Sequence, residues 1–84
     1  MTTIRQIKAA RALLGWSQSD LARHSGISEP TIARLESAEG VLGGRGETIR
    51  KIRAALETNG IELIEENRTG EGVRFRKPRH SKRK

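Results

Sequence analysis

Asp20, Glu36, Glu47 and Glu57 are among the ten carboxylates that could act as general acids or bases. Acid–base catalysis needs such a group close to a nucleophile and to a residue that orients it. The helical periodicity around these four residues places them at helix caps or on helix surfaces, and no nucleophile, base and orienting group occur together. We therefore expect that the protein is not an enzyme.

The sequence also lacks the residues that would indicate a metal or cofactor site. The chain has no cysteine, and its two histidines, His24 and His80, lie far apart in the sequence. We therefore expect neither a metal site nor a disulfide. The run Gly-Gly-Arg-Gly at residues 43–46 lacks the following Lys-Ser/Thr that completes a phosphate-binding loop. No cofactor is expected.

The positive charge lies at the C-terminal end of the chain. The 84 residues include 17 Lys and Arg against 10 Asp and Glu, a formal net charge of +7. Basic and acidic residues balance over residues 1–73, so the whole net charge comes from residues 74–84. Because residues 77–84 contain Pro78 and no apolar side chain, we expect them to form a basic, disordered tail.

The apolar residues are too scattered for a membrane protein. No apolar run approaches the roughly 18 residues of a membrane-spanning helix. The first five residues also lack the apolar core of a signal peptide. We therefore expect a cytoplasmic protein with no membrane partner.

Helical periodicity and capping residues predict four helices in residues 1–60. The first is expected over residues 4–14, and the second follows the cap Ser17 and runs to about residue 24. The third follows Ser28 and runs to about residue 36, and the fourth covers residues 48–58. Between the last two helices, a segment with four glycines predicts a mobile loop.

The periodicity changes after residue 60, where two short strand candidates flank a turn-rich segment. We therefore divide the chain into a helical domain over residues 1–60, a strand pair over residues 61–76 and the tail over residues 77–84. The expected fold class is mainly α. Since an isolated two-stranded hairpin is marginal in water, the strands could pair across the two-fold axis of a homodimer. Alternatively, they form a hairpin within one chain that covers its own core.

Residues 17–36 combine the features of two short helices joined by a tight turn. Ser17 and Ser28 are caps, Gly26 supplies the turn, and Ala22 is small where the helices must cross. Apolar residues for the inner faces are Leu21, Ile27, Ile32 and Leu35. These signals agree with one another and predict a helix-turn-helix. The same arrangement can also serve as a purely structural corner.

Together with the run Arg-Ala-Leu-Leu-Gly-Trp-Ser-Gln at residues 11–18, this stretch resembles the helix-turn-helix of phage repressor and Cro-type regulators. That family is also named after the xenobiotic response element, and the resemblance covers about residues 4–58. It implies a repressor-like bundle of four or five helices whose third helix enters the major groove of double-stranded DNA. The implied function is a sequence-specific, nucleoid-associated regulator of transcription, a repressor that acts as a homodimer on a palindromic operator.

Other functions fit the same residues. Antitoxin-type members of the family bind a toxin protein and regulate their own operon, and they carry a dimerising strand after the helical bundle. A role in RNA binding or in bridging other proteins, led by the basic tail, is a third alternative. The sequence leaves these alternatives open.

The candidate DNA contacts lie on the outer face of the third helix and near the neighbouring helix starts. Arg34 can pair with guanine O6 and N7, and Thr31 can contact a phosphate or a thymine methyl group. Pro30 and Ala33 offer only apolar contact. Glu29 could accept from cytosine N4, or it could only favour the helix N-terminus. The full set of candidates is Gln18, Ser28, Glu29, Pro30, Thr31, Ala33, Arg34 and Arg45.

Other roles follow from the resemblance. Gln18 and Ser28 match family positions that hold the phosphate backbone, and the resemblance implies a structural ion pair between Arg11 and Glu36. From its place in the sequence, Trp16 is expected in the core or a dimer interface rather than as a base-stacking platform.

Overall fold

The computed structural model describes residues 1–76, and the tail that the sequence predicts to be disordered lies outside the described residues. Four helices, α1 (Ile4–Leu14), α2 (Gln18–Ser25), α3 (Glu29–Glu36) and α4 (Gly46–Thr58), precede two strands, β1 (Ile61–Ile64) and β2 (Gly72–Phe75). The expected fold class, mainly α with a short strand pair, is confirmed.

Local capping interactions set the ends of the first two helices. Ser17 Oγ accepts the N–H of Asp20 at 3.0 Å, and the Asp20 carboxylate accepts the N–H of Ser17 at 2.9 Å, which is a complete capping box. Gly15 and Gly26 end α1 and α2 with φ of 70° and 77°. Only glycine adopts this left-handed conformation at little cost, so the chain turns sharply after each helix.

Helix α4 begins at Gly46, two residues before the start that the sequence predicts. Its N-cap residue is Arg45, whose side chain makes no capping hydrogen bond. The Arg45 carbonyl oxygen instead accepts the N–H of Ile49 at 3.1 Å. Because no side chain caps this helix, the sequence contains no capping residue that would indicate its start, and the predicted start lies two residues too late.

The helices and the hairpin share one apolar core. Its largest fully buried side chains come from all four helices and β1: Ile7, Leu21, Ile32, Ile52, Leu56 and Ile61. Trp16 packs against this core, as expected, and is partly buried. The indole also stacks on the imidazole of His24, with ring centroids 4.2 Å apart and planes inclined by 8°.

The two strands pair antiparallel within one chain, with Ile61 opposite Phe75 and Leu63 opposite Val73. This intramolecular hairpin is the second of the two alternatives that the sequence leaves open. The side chains of Ile61 and Leu63 are buried in the core. This burial supplies the stability that an isolated hairpin lacks.

Gln6 joins α1 to the hairpin. Its side chain is buried, and Nε2 donates to the carbonyl oxygens of Ile64 and Gly72 at 2.8 and 2.9 Å. Its Oε1 accepts the N–H of Thr3 at 2.9 Å, which completes the capping box of α1. Gln6 is not among the residues predicted from the sequence, although Thr-x-x-Gln at residues 3–6 is a capping-box pattern.

Replacing Gln6 with Leu is expected to lower the free energy of unfolding by about 2–4 kcal/mol, because two buried carbonyl oxygens and the α1 cap lose their partner. Urea denaturation should show a lower midpoint with an unchanged slope. Thr3→Val, which removes only the capping hydroxyl, should cost about 1 kcal/mol. Equal losses for the two variants would contradict the bridging role of Nε2.

The loop after α3 is anchored by the residues that begin the chain. The N–H of Ile4 donates to the carbonyl oxygen of Gly40, and the N–H of Leu42 donates to that of Thr2, both at 2.8 Å. The Leu42 side chain is buried. The glycine content predicts a mobile loop, but this pairing holds its middle in place. Only residues 43–45 remain between the anchored part and α4.

Candidate nucleic-acid interface

A largely buried ion pair joins α1 to the end of α3. Arg11 donates from Nε and Nη2 to the two carboxylate oxygens of Glu36 at 2.8 and 2.7 Å, the two-pronged geometry that makes Arg–carboxylate pairs strong. Arg11 Nη1 also donates to the carbonyl oxygen of Trp16 at 2.9 Å. The Glu36 side chain is 3% exposed. The structure thus contains the pair that the resemblance implies.

Gln18, the first residue of α2, belongs to the same cluster. Its Nε2 donates to Glu36 Oε1 at 3.0 Å. Burial alone would raise the pKa of Glu36, but the hydrogen bonds from Arg11 and Gln18 outweigh burial and hold that pKa below its usual value. Glu36 is therefore ionised at neutral pH and fixes α1, α2 and α3 relative to one another. The amide that the sequence analysis assigns to phosphate is thus engaged inside the protein.

Helix α3 has one buried side and one exposed side. Ile32 and Glu36 are buried, whereas Glu29, Pro30, Ala33 and Arg34 are exposed. At about 100° per residue, the four exposed positions span an arc of about 140°. Within that arc, Pro30 and Ala33 lie in the middle, and Glu29 and Arg34 lie at opposite edges. We call these four residues the exposed α3 face.

Ser28 caps α3 and also contacts Thr31. Its Oγ accepts the N–H of Thr31 at 3.4 Å and donates to Thr31 Oγ1 at 2.9 Å. The two hydroxyl groups thus lie side by side at the start of α3. Pro30 lies in the first turn, where its missing N–H breaks no helical hydrogen bond.

A groove lies between α3 and the start of α4. Its volume is about 370 Å³, and its walls are formed by Thr31, Arg34, Leu35, Gly44, Arg45 and Thr48. Within residues 1–76, neither Arg34 nor Arg45 forms an ion pair. Two such guanidinium groups along one concave surface attract anions. Thr48 is not among the candidate contacts predicted from the sequence, because this residue enters the groove only through the packing of α4 beside α3.

The comparison with known families decides between a structural corner and a recognition motif. A family model described as helix-turn-helix, HTH_3, matches residues 7–63 of the chain. The protein belongs to the HTH_3 family. The resemblance to phage repressor and Cro-type proteins is thereby confirmed, and the HTH_3 domain identifies a DNA-binding regulator of transcription. No curated protein sequence matches the chain.

In this HTH_3 protein, the start of α2 offers backbone N–H donors next to Gln18, whose side chain contacts Glu36. Ser17 caps the N–H of Asp20, whereas the N–H groups of Gln18 and Ser19 have no partner within a helix that begins here. Helix starts of this kind attract anions through their N–H groups and the helix dipole. The side-chain amide of Gln18 joins this helix start to Glu36 at the end of α3.

The sequence of this HTH_3 protein predicts that two other kinds of feature are absent: a metal site and a membrane span. Within residues 1–76, no three His, Cys, Asp or Glu side chains lie close enough together to hold a metal ion. Among the same residues, no helix has the length and apolar character needed to cross a membrane.

The structure brings most of the candidate DNA contacts to one surface. Those on or beside α3 are Ser28, Glu29, Pro30, Thr31, Ala33 and Arg34. Arg45 lies across the groove from them at the start of α4. Gln18 differs from the others because its side chain points to Glu36.

Proposed function

We propose that the protein is a sequence-specific repressor of transcription that places α3 in the major groove of its operator. The observation that supports this proposal is the exposed α3 face, which carries Arg34 beside a groove shared with Arg45. A base-reading helix needs side chains that reach base edges on one side and a rigid scaffold on the other. The ion pair between Arg11 and Glu36 supplies that rigidity.

The proposed contacts divide into base contacts and phosphate contacts. Arg34 donates to guanine O6 and N7, and the rest of the exposed α3 face approaches neighbouring bases. Arg45, the hydroxyl of Thr31 and the backbone N–H groups at the start of α2 hold phosphates. Ser28 contributes by capping α3, and the basic tail adds phosphate contacts that are independent of sequence.

We also propose that the protein acts as a homodimer on a palindromic operator. One helix of eight residues reads only a few base pairs, and two recognition helices about 34 Å apart read two half-sites one helical turn apart. The antitoxin alternative would use the same DNA interface and add a toxin, so a larger protein that co-purifies with the chain would favour it.

Selection of bound sequences from a random duplex pool tests this function. Wild type is expected to enrich a palindromic consensus. Arg34→Ala should lose its preference at one G·C pair in each half-site, where the wild type discriminates by roughly 5- to 150-fold. Arg68→Ala removes the same charge from an exposed position in the turn between β1 and β2 and should leave the consensus unchanged. Failure of wild type to enrich any sequence would refute the proposal.

A further inference from the structure

The charges on the exposed α3 face restrict the bases that it can read. We propose that this face reads a half-site in which Glu29 accepts from a cytosine amino group, Arg34 donates to a guanine, and a thymine methyl group lies against Ala33. This inference rests on the proposed function and adds the identity of the bases to it. The carboxylate of Glu29 is the unusual group on this face, because a surface that approaches DNA meets the negative charge of the phosphates.

The carboxylate of Glu29 makes no contact that stabilises the described part of the fold. Within residues 1–76 it makes neither an ion pair nor a side-chain hydrogen bond, whereas Glu36 in the same helix is fully paired. The Glu29 side chain is exposed. Phosphates repel it, so it weakens binding to DNA unless it meets a donor in the groove.

The major groove offers a carboxylate only two donors, cytosine N4 and adenine N6. Guanine presents the acceptors O6 and N7, and thymine presents the acceptor O4. Adenine N6 lies beside the acceptor N7, which repels a carboxylate that approaches the amino group. Cytosine carries no such acceptor on this edge. Glu29 therefore favours cytosine and penalises the other three bases.

The middle of the exposed α3 face has no hydrogen-bonding side chain. Pro30 and Ala33 are small and apolar, so a polar base edge placed against them loses its hydrogen bonds to water. The thymine C5-methyl group is the one apolar feature of the major groove. Ala33 lies about 40° around the helix from Glu29 and about 100° from Arg34, so its methyl contact falls between the two charged contacts.

The spacing along α3 fits one half-site. Arg34 lies five positions after Glu29, which corresponds to about 7.5 Å along the helix axis. Successive base pairs are about 3.4 Å apart, so the cytosine and the guanine are expected about two base pairs apart. Ala33 lies about 6 Å along the axis from Glu29, so the thymine is expected on the guanine side of the cytosine.

The test uses full-length protein and the consensus duplex selected by wild type, with each half-site position changed in turn. Mobility-shift titrations compare wild type with Glu29→Gln and Glu29→Ala. Wild type should bind roughly 5- to 150-fold more weakly when the proposed C·G pair is replaced. Glu29→Ala should bind all four bases at that position within about twofold and should bind random DNA more tightly than wild type, because the repulsion from phosphates is gone.

Glu66→Gln is the matched control for charge. Glu66 is exposed after β1, and within residues 1–76 it forms no ion pair. This variant should keep the base preference of wild type. Replacing the thymine with deoxyuridine removes only the methyl group and should weaken wild-type binding about fourfold. Ala33→Gly should be insensitive to the same replacement.

The outcomes separate this inference from the proposed function. If wild type selects no consensus, the proposed function itself fails. If wild type selects a consensus and both Glu29 variants keep the same preference at every position, the inference is overturned and the function stands. Glu29 would then serve only the N-terminus of α3, and thermal melting would show a lower Tm for Glu29→Ala.

Discussion

Replacing Arg11 with Met is expected to lower the free energy of unfolding by about 3–5 kcal/mol. The carboxylate of Glu36, 3% exposed, would remain buried with only the amide of Gln18 as a partner. For a domain of this size, such a loss corresponds to a fall in Tm of more than about 10 °C. Circular dichroism during thermal and urea denaturation measures both quantities. Arg50→Met, which changes an exposed position of α4, should stay within about 0.5 kcal/mol of wild type.

A double variant identifies the cause of this loss. Arg11→Met with Glu36→Leu replaces the pair by two apolar side chains and leaves no buried charge, so it should recover most of the stability. A double variant as unstable as Arg11→Met alone would show that the uncompensated charge of Glu36 is not the reason.

The same pair makes part of the stability depend on pH. The pKa of Glu36 is lowered in the folded protein, below the value of about 4.3 in an unfolded chain. Its contribution is therefore complete above that pH and is lost as the pH falls through the folded-state pKa. In Arg11→Met, burial without the guanidinium raises the pKa of Glu36. The difference in stability between wild type and Arg11→Met should therefore begin to shrink as the pH falls through that raised pKa, and should go on shrinking until the pH reaches the lowered pKa of the wild type. Asp20 and Glu65 also have lowered pKa values. Their contributions to the free energy of unfolding are the same in wild type and Arg11→Met, so these contributions cancel in the difference.

Deleting residues 77–84 is expected to weaken binding to every duplex by a similar factor. This segment contains Lys77, Arg79, Lys82, Arg83 and Lys84. Each phosphate that a basic side chain neutralises adds about 0.9 to the slope of log K against log salt concentration. The slope should therefore fall by up to about 4.5, and affinity at 0.1 M salt should fall by up to about 10⁴-fold.

Site preference should survive this truncation, because the exposed α3 face is unchanged. Titrations of consensus and scrambled duplexes over a range of salt concentrations measure both the slope and the preference. A full-length variant with Gln at the five basic positions is the control for chain length and should behave like the truncated protein. Equal salt slopes for full-length and truncated protein would contradict a role for the tail in phosphate binding.

The helix-turn-helix could be predicted from the sequence because its signals are local. Ser17 and Ser28 act on N–H groups three residues away, and Gly26 determines the turn through its own φ. The exposure of Arg34 follows from the same periodicity that buries Ile32. Each of these features depends on residues within one or two helical turns, so one stretch of sequence contains all the information needed.

The remaining features depend on contacts between distant parts of the chain. The side-chain amide of Gln18 donates to Glu36, which lies eighteen positions later in the chain. The backbone pairing of Leu42 with Thr2 could not be predicted from the glycine-rich sequence of the loop. The sequence pattern of a strand likewise does not indicate whether the strand it pairs with lies in the same chain. The intramolecular hairpin follows from its packing against α1 and α4 and from the amide of Gln6.

The stack of Trp16 on His24 gives the protein an optical probe of its own. Trp16 is the only tryptophan in the chain, and its carbonyl oxygen accepts from Arg11, so the ring reports on the junction of α1 and α2. Indole emission depends on the group in contact with the ring, and separation of the two rings changes its intensity. The opening of this junction can therefore be followed by fluorescence without an added label.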